Sequence, residues 1–542
     1  MFSSEVNGDL VSMTQFRIGI DVGGTHTDSV ILDQANNVVG VAKVDTTRDI
    51  ITGVHNALKT LFSNSPTVNV NEIIAVMFGT THCTNAIVER KRLTKVGLLR
   101  IGRISTSAIP PLYSLPRDLV DSMAPVSIMV NGGHEYDGRE IVPLDESEVH
   151  DAARKFKESD VRSIAISSVF SPVSSSHEER AAKIVSEYLQ GAPISLSSEI
   201  GSLGLIAREN AALLNAALID VADSAIVSFE KAVNDVGITK AKLFLTQNDG
   251  TLMTTSYARK YPVKTIACGP TNSIRGAAFL TGITDGIIVD IGGTTTLVGA
   301  LSKGFPRESG VAANIGGVTT NFRMPDIFAL GCGGGTIVRK LEPNGIQVGP
   351  DSVAYELTEK GMSWGGRYVT TTDIALANGY FSIADGKCDT ERLASLDRVF
   401  TKRAAEKIIE MVEDAVDRMK TTAAPVDVVL VGGGGIIIPK SHYSSFAGAS
   451  RVIRPELFQY ANAIGAAIAQ ASGEVDRIFS YENSTREKVV EEAIELCKAD
   501  AVRAGAIPQT VRIVEVEQLP MTYVSANALR IRVKAVGDLT LA

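Results

Sequence analysis

The chain has 542 residues, with 53 Lys and Arg against 61 Asp and Glu, a formal charge of −8. That balance argues against general affinity for nucleic-acid phosphates or anionic membranes, and 44% hydrophobic with 21% charged residues excludes collagen, disorder and coiled coil. The length accommodates two large domains or three to four of about 150 residues, with core enough to fold without disulfides or metals.

No run of 18 apolar residues is found, so no membrane-spanning helix and no membrane partner are expected. Residues 1–15 contain Glu5 and Asp9 and lack a basic start followed by an apolar run. They read as a disordered tail rather than a secretory signal. Cys83, Cys268, Cys332, Cys388 and Cys497 form no C-x-x-C pair. This argues against a zinc or iron–sulfur centre and for a reducing, cytoplasmic location.

In chain order, Phe16 to Asp21 reads as an apolar strand, followed by a loop to Asp28 and strands 29–32 and 38–44. The pattern is a glycine-looped hairpin and meander, with no P-loop and no Rossmann fingerprint. A helix over 48–62, a strand over 73–79 and a loop running into a helix over 80–92 follow. Asp137-Gly138 signals a hairpin turn. Helix 145–158 and strand 161–169 precede a helix over 177–190, for which Ser176 and Glu179 suggest a capping box. His177 reads there as a surface helix-start residue. A long alanine-rich helix spans 205–235. The stripe Ala404, Ile408, Val412, Ala415 and Met419 marks a helix over 402–420 that feeds strand 426–431. A helix over 484–504 and strands 511–516 and 529–536 close the chain.

The chain repeats itself. Asp21-Val-Gly-Gly-Thr-His-Thr-Asp28 is echoed half a chain later by Asp290-Ile-Gly-Gly-Thr-Thr-Thr296. Both copies are strand, Asp, two glycines, threonines, then strand, which predicts a duplicated domain with a cleft between the halves. Gly23, Gly24, Thr25, His26 and Thr27 can wrap a terminal phosphate with N–H groups and hydroxyls. Gly292, Gly293, Thr294 and Thr295 repeat this from the other half. Asp21 and Asp290, at the strand ends, are placed to hold Mg²⁺. The flat clusters Gly333, Gly334, Gly335 and Gly432, Gly433, Gly434 complete the nucleotide set, the latter suited to the face of adenosine. The small-residue stretch Tyr460 to Ala467 reads as a hinge helix.

This order resembles the actin, Hsp70 and sugar-kinase superfamily, which implies an α/β fold of duplicated, ribonuclease H-like ATPase domains flanking a nucleotide cleft. A closer resemblance lies in D-V-G-G-T-H-T-D (21–28), F-G-T-T-H-C-T-N-A-I-V-E-R-K (78–91), A-C-G-P-T-N-S-I-R-G-A (267–277), A-L-G-C-G-G-G-T-I (329–337) and V-G-P-D-S (348–352). These are similar to the hydantoinase A / 5-oxoprolinase family, shorter type. The resemblance implies ATP- and Mg²⁺-dependent opening of a cyclic amide by phosphorylation of its carbonyl oxygen, after which water cleaves the C–N bond. It also implies an N-terminal domain over 16–200, a hydantoinase A domain over 201–480 and a small α/β extension over 481–542.

Two positions depart from the family pattern: His26 replaces an aromatic residue, and Cys268 to Ser273 read C-G-P-T-N-S where S-G-P-A-G-G is usual. The absence of the B region of full-length oxoprolinases raises the expectation of a second, B-type subunit or fused domain, and of an oligomer. Phosphoryl transfer needs positioning and charge neutralisation. Thr80, Thr81 and Asn85 offer neutral hydrogen bonds suited to a lactam. His26, His82 and His134 can each donate to a carbonyl or shuttle a proton, and His82 and His134 are taken with Asp21 and Asp290 as the catalytic set. Two other classes remain open at this stage: a small-molecule kinase or carbonyl-activating carboxylase subunit, and a non-enzymatic nucleotide-switched protein.

Overall fold

The computed structural model describes residues 15–47, 49–309, 313–341, 345–383, 386–482, 484–521 and 527–539. The expected tail, Gln15 apart, lies outside these residues.

The repeat in sequence is a repeat in structure. Strand Phe16–Val22 runs antiparallel to His26–Leu32, with Asp21 opposite Asp28, and parallel to Ile73–Thr80, with Asp21 beside Gly79. In the second half, Gly286–Ile291 runs antiparallel to Thr296–Ser302, with Asp290 opposite Leu297, and parallel to Val426–Val431, with Asp290 beside Val431. The expected duplicated α/β architecture is therefore present. It also makes the loops after Gly79 and after Val431 topological equivalents.

The first sheet has nine strands. From one edge they are Arg512–Pro520, Ala528–Gly537, Ala471–Ser480, Leu252–Thr254, Lys242–Thr246, Ile73–Thr80, Phe16–Val22, His26–Leu32 and Val38–Asp45. The second sheet has six, centred on Gly286–Ile291 and Val426–Val431. The first sheet runs across the expected boundary at 200/201. The strands at 242–254 and 471–480 belong to the first sheet, and the C-terminal extension is built onto them instead of standing apart. The cause is the edge left by Ala471–Ser480, whose ten residues pair one for one with Ala528–Gly537. An unpaired edge of that length needs a partner strand.

A third sheet is inserted between Ile73–Thr80 and the long helix. Its four strands, Val126–Val130, Val96–Ile101, Ser163–Ser168 and Ile194–Leu196, are all parallel. Every residue of Val96–Ile101 and Ser163–Ser168 is buried, as suits a strand covered on both faces. The helix Ser176–Tyr188 beside it begins one residue earlier than the sequence suggests. Ser175 is its N-cap residue, without a side-chain cap bond, and Ser175 Oγ donates to Glu179 at 2.6 Å.

Helix Leu205–Asp235 joins the parts. Its first half packs Ala211 to Ala222 against the inserted unit, and its second half packs Ala225, Phe229 and Val233 onto the first sheet. Phe229 stacks on Phe78 with centroids 4.2 Å apart. It is long and apolar enough to cross a membrane by composition alone, but most of it is buried in the protein. Its buried charges are partnered: Arg100 takes Glu209 at 2.6 Å, and Arg208 donates to the Ser168 carbonyl at 2.6 Å.

Two short helices, Cys268–Thr281 and Ala461–Ile468, cross between the halves. A Cβ at Gly276 would collide with the Ala461 carbonyl oxygen, and one at Gly465 with that of Asn272. Only small residues permit this backbone approach, which matches the hinge reading of residues 460–467.

Candidate active site

The glycine loops converge. The turns are closed alike, Gly23 N–H donating to the His26 carbonyl at 3.1 Å and Gly292 N–H to that of Thr295 at 2.9 Å. They face one another: a Cβ on Gly293 would lie 3.1 Å from Thr25 Oγ1. The loop 333–335 joins them, with Gly334 N–H donating to the Gly292 carbonyl at 2.9 Å and Gly335 N–H to that of Gly293 at 2.7 Å. Thr372 Oγ1 clamps that loop from behind, donating to the Gly334 carbonyl at 2.8 Å. The Gly432–Gly435 loop meets the same turn, and a Cβ on Gly434 would stand 2.7 Å from Gly292 O. At Gly24 and Gly433 a Cβ meets nothing within 4 Å, so these loops open onto free space. Beyond Gly435, Arg454 donates to its carbonyl at 2.9 Å and lies over the Phe458 ring, 5.3 Å from its centroid.

The two strand-end carboxylates sit in matched settings. Each lies against a glycine of the neighbouring parallel strand or its loop. A Cβ at Gly79 would be 2.5 Å from Asp21 Oδ1, and one at Gly432 would collide with Asp290 Oδ1. Burial raises Asp21 to about 6, with the field of Asp28 adding to it. Burial likewise raises Asp290, against the hydrogen bond from Ser273. Ser273 Oγ donates to Asp290 Oδ2 at 2.5 Å and also contacts Asn462 Oδ1, while Asn462 Nδ2 donates to Asp21 Oδ2 at 3.3 Å. The hinge helices thus tie the two carboxylates together. Asn272, next to Ser273, is fully buried; its Nδ2 donates to Thr246 Oγ1 at 3.2 Å and its Oδ1 has no partner. Two buried carboxylates among hydroxyls and amides form an oxygen donor set suited to a hard divalent cation such as Mg²⁺.

The 78–91 motif lies beside Asp21. Thr80 ends the strand paired to Phe16–Val22, and its N–H reaches Cys268 Sγ at 3.4 Å. Thr80 Oγ1 is bonded to His82 Nδ1. Burial, helped by Arg92, lowers His82 to about 4, so its ring is neutral at pH 7. Thr81, the N-cap residue of helix His82–Glu89, and Asn85 in its first turn are joined by Asn85 Nδ2 donating to Thr81 Oγ1 at 3.3 Å, and Asn85 is exposed. Cys268 and Cys83 are buried thiols pushed up to about 11 and about 12 by burial.

Some expected residues stand apart. Thr27 is fully buried with Oγ1 against Thr46 Oγ1 at 3.3 Å, a strut of the hairpin. His26 lies on the surface beside Asp45 at 3.5 Å. His134 is bonded within the inserted unit, its Nε2 to Ser176 Oγ at 3.3 Å, and packs against His177 with centroids 4.3 Å apart. His177 is itself buried, contrary to the surface position expected, because it closes the 131–141 loop: Gly133 N–H donates to its Nδ1 at 2.9 Å. Glu140 approaches His177 Nε2 at 3.0 Å, so His134, Glu140 and His177 cluster as metal ligands do. Since His177 Nδ1 accepts a backbone N–H, its ring proton is on Nε2 and points at Glu140. A metal there would need that lone pair, so His177 and Glu140 are a hydrogen-bonded pair against which the His134 ring packs.

Ser273, Asn462 and Thr372 are functional candidates absent from the sequence reading. Each leaves a trace: Ser273 stands where the family pattern has glycine, Asn462 is the polar residue in a small-residue helix, and Thr372 belongs to a threonine triplet whose neighbours Thr370 and Asp373 form a capping box.

Residues 17–189 match the family profile described as hydantoinase/oxoprolinase N-terminal region, and residues 208–475 that described as hydantoinase/oxoprolinase. The chain is 29% identical over 472 residues to the caprolactamase subunit alpha of Pseudomonas jessenii, covering 78% of this chain and 66% of that protein. It is 25% identical over 447 residues to the acetone carboxylase beta subunit of Xanthobacter autotrophicus, covering 73% and 59%. The chain thus matches somewhat under two thirds of the length of these curated relatives. In fold it is similar to the crystal structure of ATP-dependent caprolactamase from Pseudomonas jessenii, with TM-score 0.76, 21% identity, and 97% of this chain and 88% of that chain covered. It is also similar to nucleotide-free acetone carboxylase, with TM-score 0.69, 18% identity and the same coverage of 97% and 88%.

Proposed function

The chain belongs to the hydantoinase/oxoprolinase family, and on that premise we propose that it is the ATP-using chain of an enzyme that opens a cyclic amide. The observation that carries this reading is the convergence of the Asp21 and Asp290 loops on one cleft, beside Thr80 and His82. An amide resists water because resonance stabilises its carbonyl and its amine leaves poorly. Moving the γ-phosphoryl group of ATP to the carbonyl oxygen leaves an electrophilic carbon. Water then adds, the C–N bond breaks and phosphate departs.

In this reading the turns at Gly23–Thr25 and Gly292–Thr295 cradle phosphate oxygens with backbone N–H groups and hydroxyls. The open face at Gly433 leaves room for the adenosine, with Phe458 beside Gly435 at its edge. Asp21 and Asp290 hold Mg²⁺, which neutralises the phosphate charge. Thr80, Thr81 and Asn85 orient the lactam. The neutral His82 fixes Thr80 rather than supplying a cationic acid. The caprolactamase relative supports a lactam substrate, while the acetone carboxylase relative favours a second reading, the same carbonyl activation serving a carboxylation.

The test is a panel of lactams, hydantoins, 5-oxoproline and simple ketones with bicarbonate, scored by ADP release. Lactam-dependent ADP release with ring opening supports the first reading, and ketone- and bicarbonate-dependent release the second. Turnover indifferent to every carbonyl compound would defeat both.

A further inference from the structure

The second half reaches back over the first through an arm. The chain leaves the second sheet after Phe305–Pro306, which pairs with Thr296–Ser302, and rejoins that same strand at Ile327–Leu330. In between, Ala313–Ile315 and Val318–Thr320 form a hairpin with Ile315 opposite Val318. Its two-residue turn is Gly316-Gly317, with φ of 57° and 88°, the left-handed pair that such a turn requires. A hairpin this short is not stable by itself, so the surface beneath it fixes where it lies.

That surface belongs to the first half. Ile315 and Val318 are buried in one apolar cluster with Ile87, Leu214 and Leu218. Asn210, on the long helix, donates through Nδ2 to the Thr319 carbonyl at 2.9 Å, and Asn321 Nδ2 donates to the Ser202 and Leu203 carbonyls at 2.9 and 2.8 Å. At the foot of the arm, Asn248 Nδ2 donates to the Arg323 carbonyl at 2.6 Å and Lys534 meets Glu308 at 2.9 Å.

The tip of the arm meets the far end of helix His82–Glu89. Arg90 ends that helix in the left-handed conformation, with φ of 57°. Its guanidinium makes three bonds: Nη2 to the Gly316 carbonyl at 2.6 Å, Nε to Asp118 Oδ2 at 3.0 Å, and Nη1 to the Ile87 carbonyl. A Cβ at Gly316 would stand 2.9 Å from Arg90 Nη1, so glycine is what admits the guanidinium. One fork thus closes the last turn of the helix, takes a carboxylate of the inserted unit and holds the hairpin of the other half. The near end of the same helix follows Thr80, beside Asp21, and carries Thr81 and Asn85. A helix of this length is about 12 Å long and too short to hold itself in place. What grips its two ends sets its aim: strand Ile73–Thr80 at one, Arg90 and the hairpin at the other.

We propose that Arg90 is a positioning residue: by joining helix His82–Glu89 to the Gly316 carbonyl, it lets the second half set where Thr81 and Asn85 meet the carbonyl substrate. This inference rests on the carbonyl-activating reading above. Lysine keeps the charge but not the planar fork, so the role is one of geometry. The three partners of Arg90 lie outside the glycine loops, so nucleotide affinity is independent of it.

The experiment measures ADP release by Arg90→Met and Arg90→Lys against the wild type, at saturating Mg·ATP and varied carbonyl substrate, with any copurifying chain retained. The probe is the panel compound that drives wild-type turnover best, 5-oxoproline and hydantoin being tried first. Mg·ADP affinity is titrated alongside. We expect Arg90→Met to raise KM for the carbonyl substrate about tenfold and Arg90→Lys about threefold, with Mg·ADP affinity unchanged in both. An unchanged KM in both variants overturns the proposal, even where stability falls, since Arg90 would then only close the helix. An equal loss of Mg·ADP affinity also overturns it, because the effect would not be confined to the substrate side. Should Arg90→Met fail to fold, Arg90→Lys decides alone. Wild-type turnover indifferent to every carbonyl compound is a different failure: it defeats the functional reading, and this inference with it.

Discussion

Ser273 Oγ donates to Asp290 Oδ2 at 2.5 Å and touches Asn462 Oδ1, whose amide nitrogen in turn donates to Asp21 Oδ2 at 3.3 Å. One serine and one asparagine, on two helices that cross between the halves, link the carboxylates of both repeats. A serine hydroxyl has a single proton, so it cannot donate to Asp290 and Asn462 at once. The pair therefore adjusts together when either carboxylate gains a cation or a proton.

The first prediction follows from that link. Ser273→Ala removes a charge-assisted hydrogen bond worth roughly 1.5–3 kcal/mol. Turnover should fall about tenfold or more, with Ser273→Thr restoring part of it. Steady-state kinetics at varied Mg·ATP check this. If Ser273→Ala turns over normally at low Mg·ATP, Ser273 has no positioning role.

A second prediction separates stability from turnover at Asp21. Its folded-state value of about 6 lies above the reference 3.8. Between about pH 4 and pH 6 the folded protein keeps a proton that the unfolded chain has released, so this group lowers stability as pH rises through that window. Asn is neutral throughout. Asp21→Asn should stabilise the nucleotide-free protein above pH 6 by on the order of 2 kcal/mol and flatten that pH dependence. Turnover should fall roughly 100-fold. Denaturant melts at pH 5 and pH 7.5 give the answer, and a variant less stable than the wild type at pH 7.5 contradicts the burial argument.

Much of this was legible in the sequence, for a physical reason. A loop that must approach phosphate closely is confined to glycine and threonine, so both hairpins announce themselves as strings of letters. The helix at 461–468 is readable because close backbone contact tolerates only small side chains. The strand pairing of residues 471–537 was not legible, because pairing between distant strands leaves no local periodicity. His177 was misplaced for a related reason: its burial comes from a loop 44 residues away in sequence, through the Gly133 N–H. Ser273 and Asn462 act only as a pair across the hinge, and no spacing rule connects them.

A third prediction concerns the long helix. Arg100 and Glu209 are almost fully buried, with Arg100 Nε donating to Glu209 Oε2 at 2.6 Å and Ser167 Oγ adding a bond of 2.7 Å. Removing one partner strands the other charge. Arg100→Met should cost about 3–5 kcal/mol, while Arg100→Met combined with Glu209→Leu should recover most of it. Denaturant titration of the single and double variants decides; an equal loss in both would mean that packing, and not the stranded charge, sets the cost.

The last prediction concerns the water that completes ring opening. Among the described residues no histidine in the cleft is set to activate it. His82 is a weak base, at about 4, with Nδ1 bonded to Thr80, and His134 is bonded within the inserted unit. His26 pairs with Asp45 at the surface. On the lactam proposal, a phosphorylated lactam released to bulk water would waste ATP, and the proposal therefore calls for a surface that positions water over the cleft. Both relatives compared above are named as subunits, which supports a second chain in that role. The purified chain with Mg·ATP and a lactam it accepts should release ADP slowly and without matching ring opening. Adding the partner that copurifies with it should bring ADP release and amino-acid formation to one-to-one. If the chain alone opens the ring at full rate with one phosphate released per amino acid formed, no partner is needed and the water must be activated by groups within this cleft.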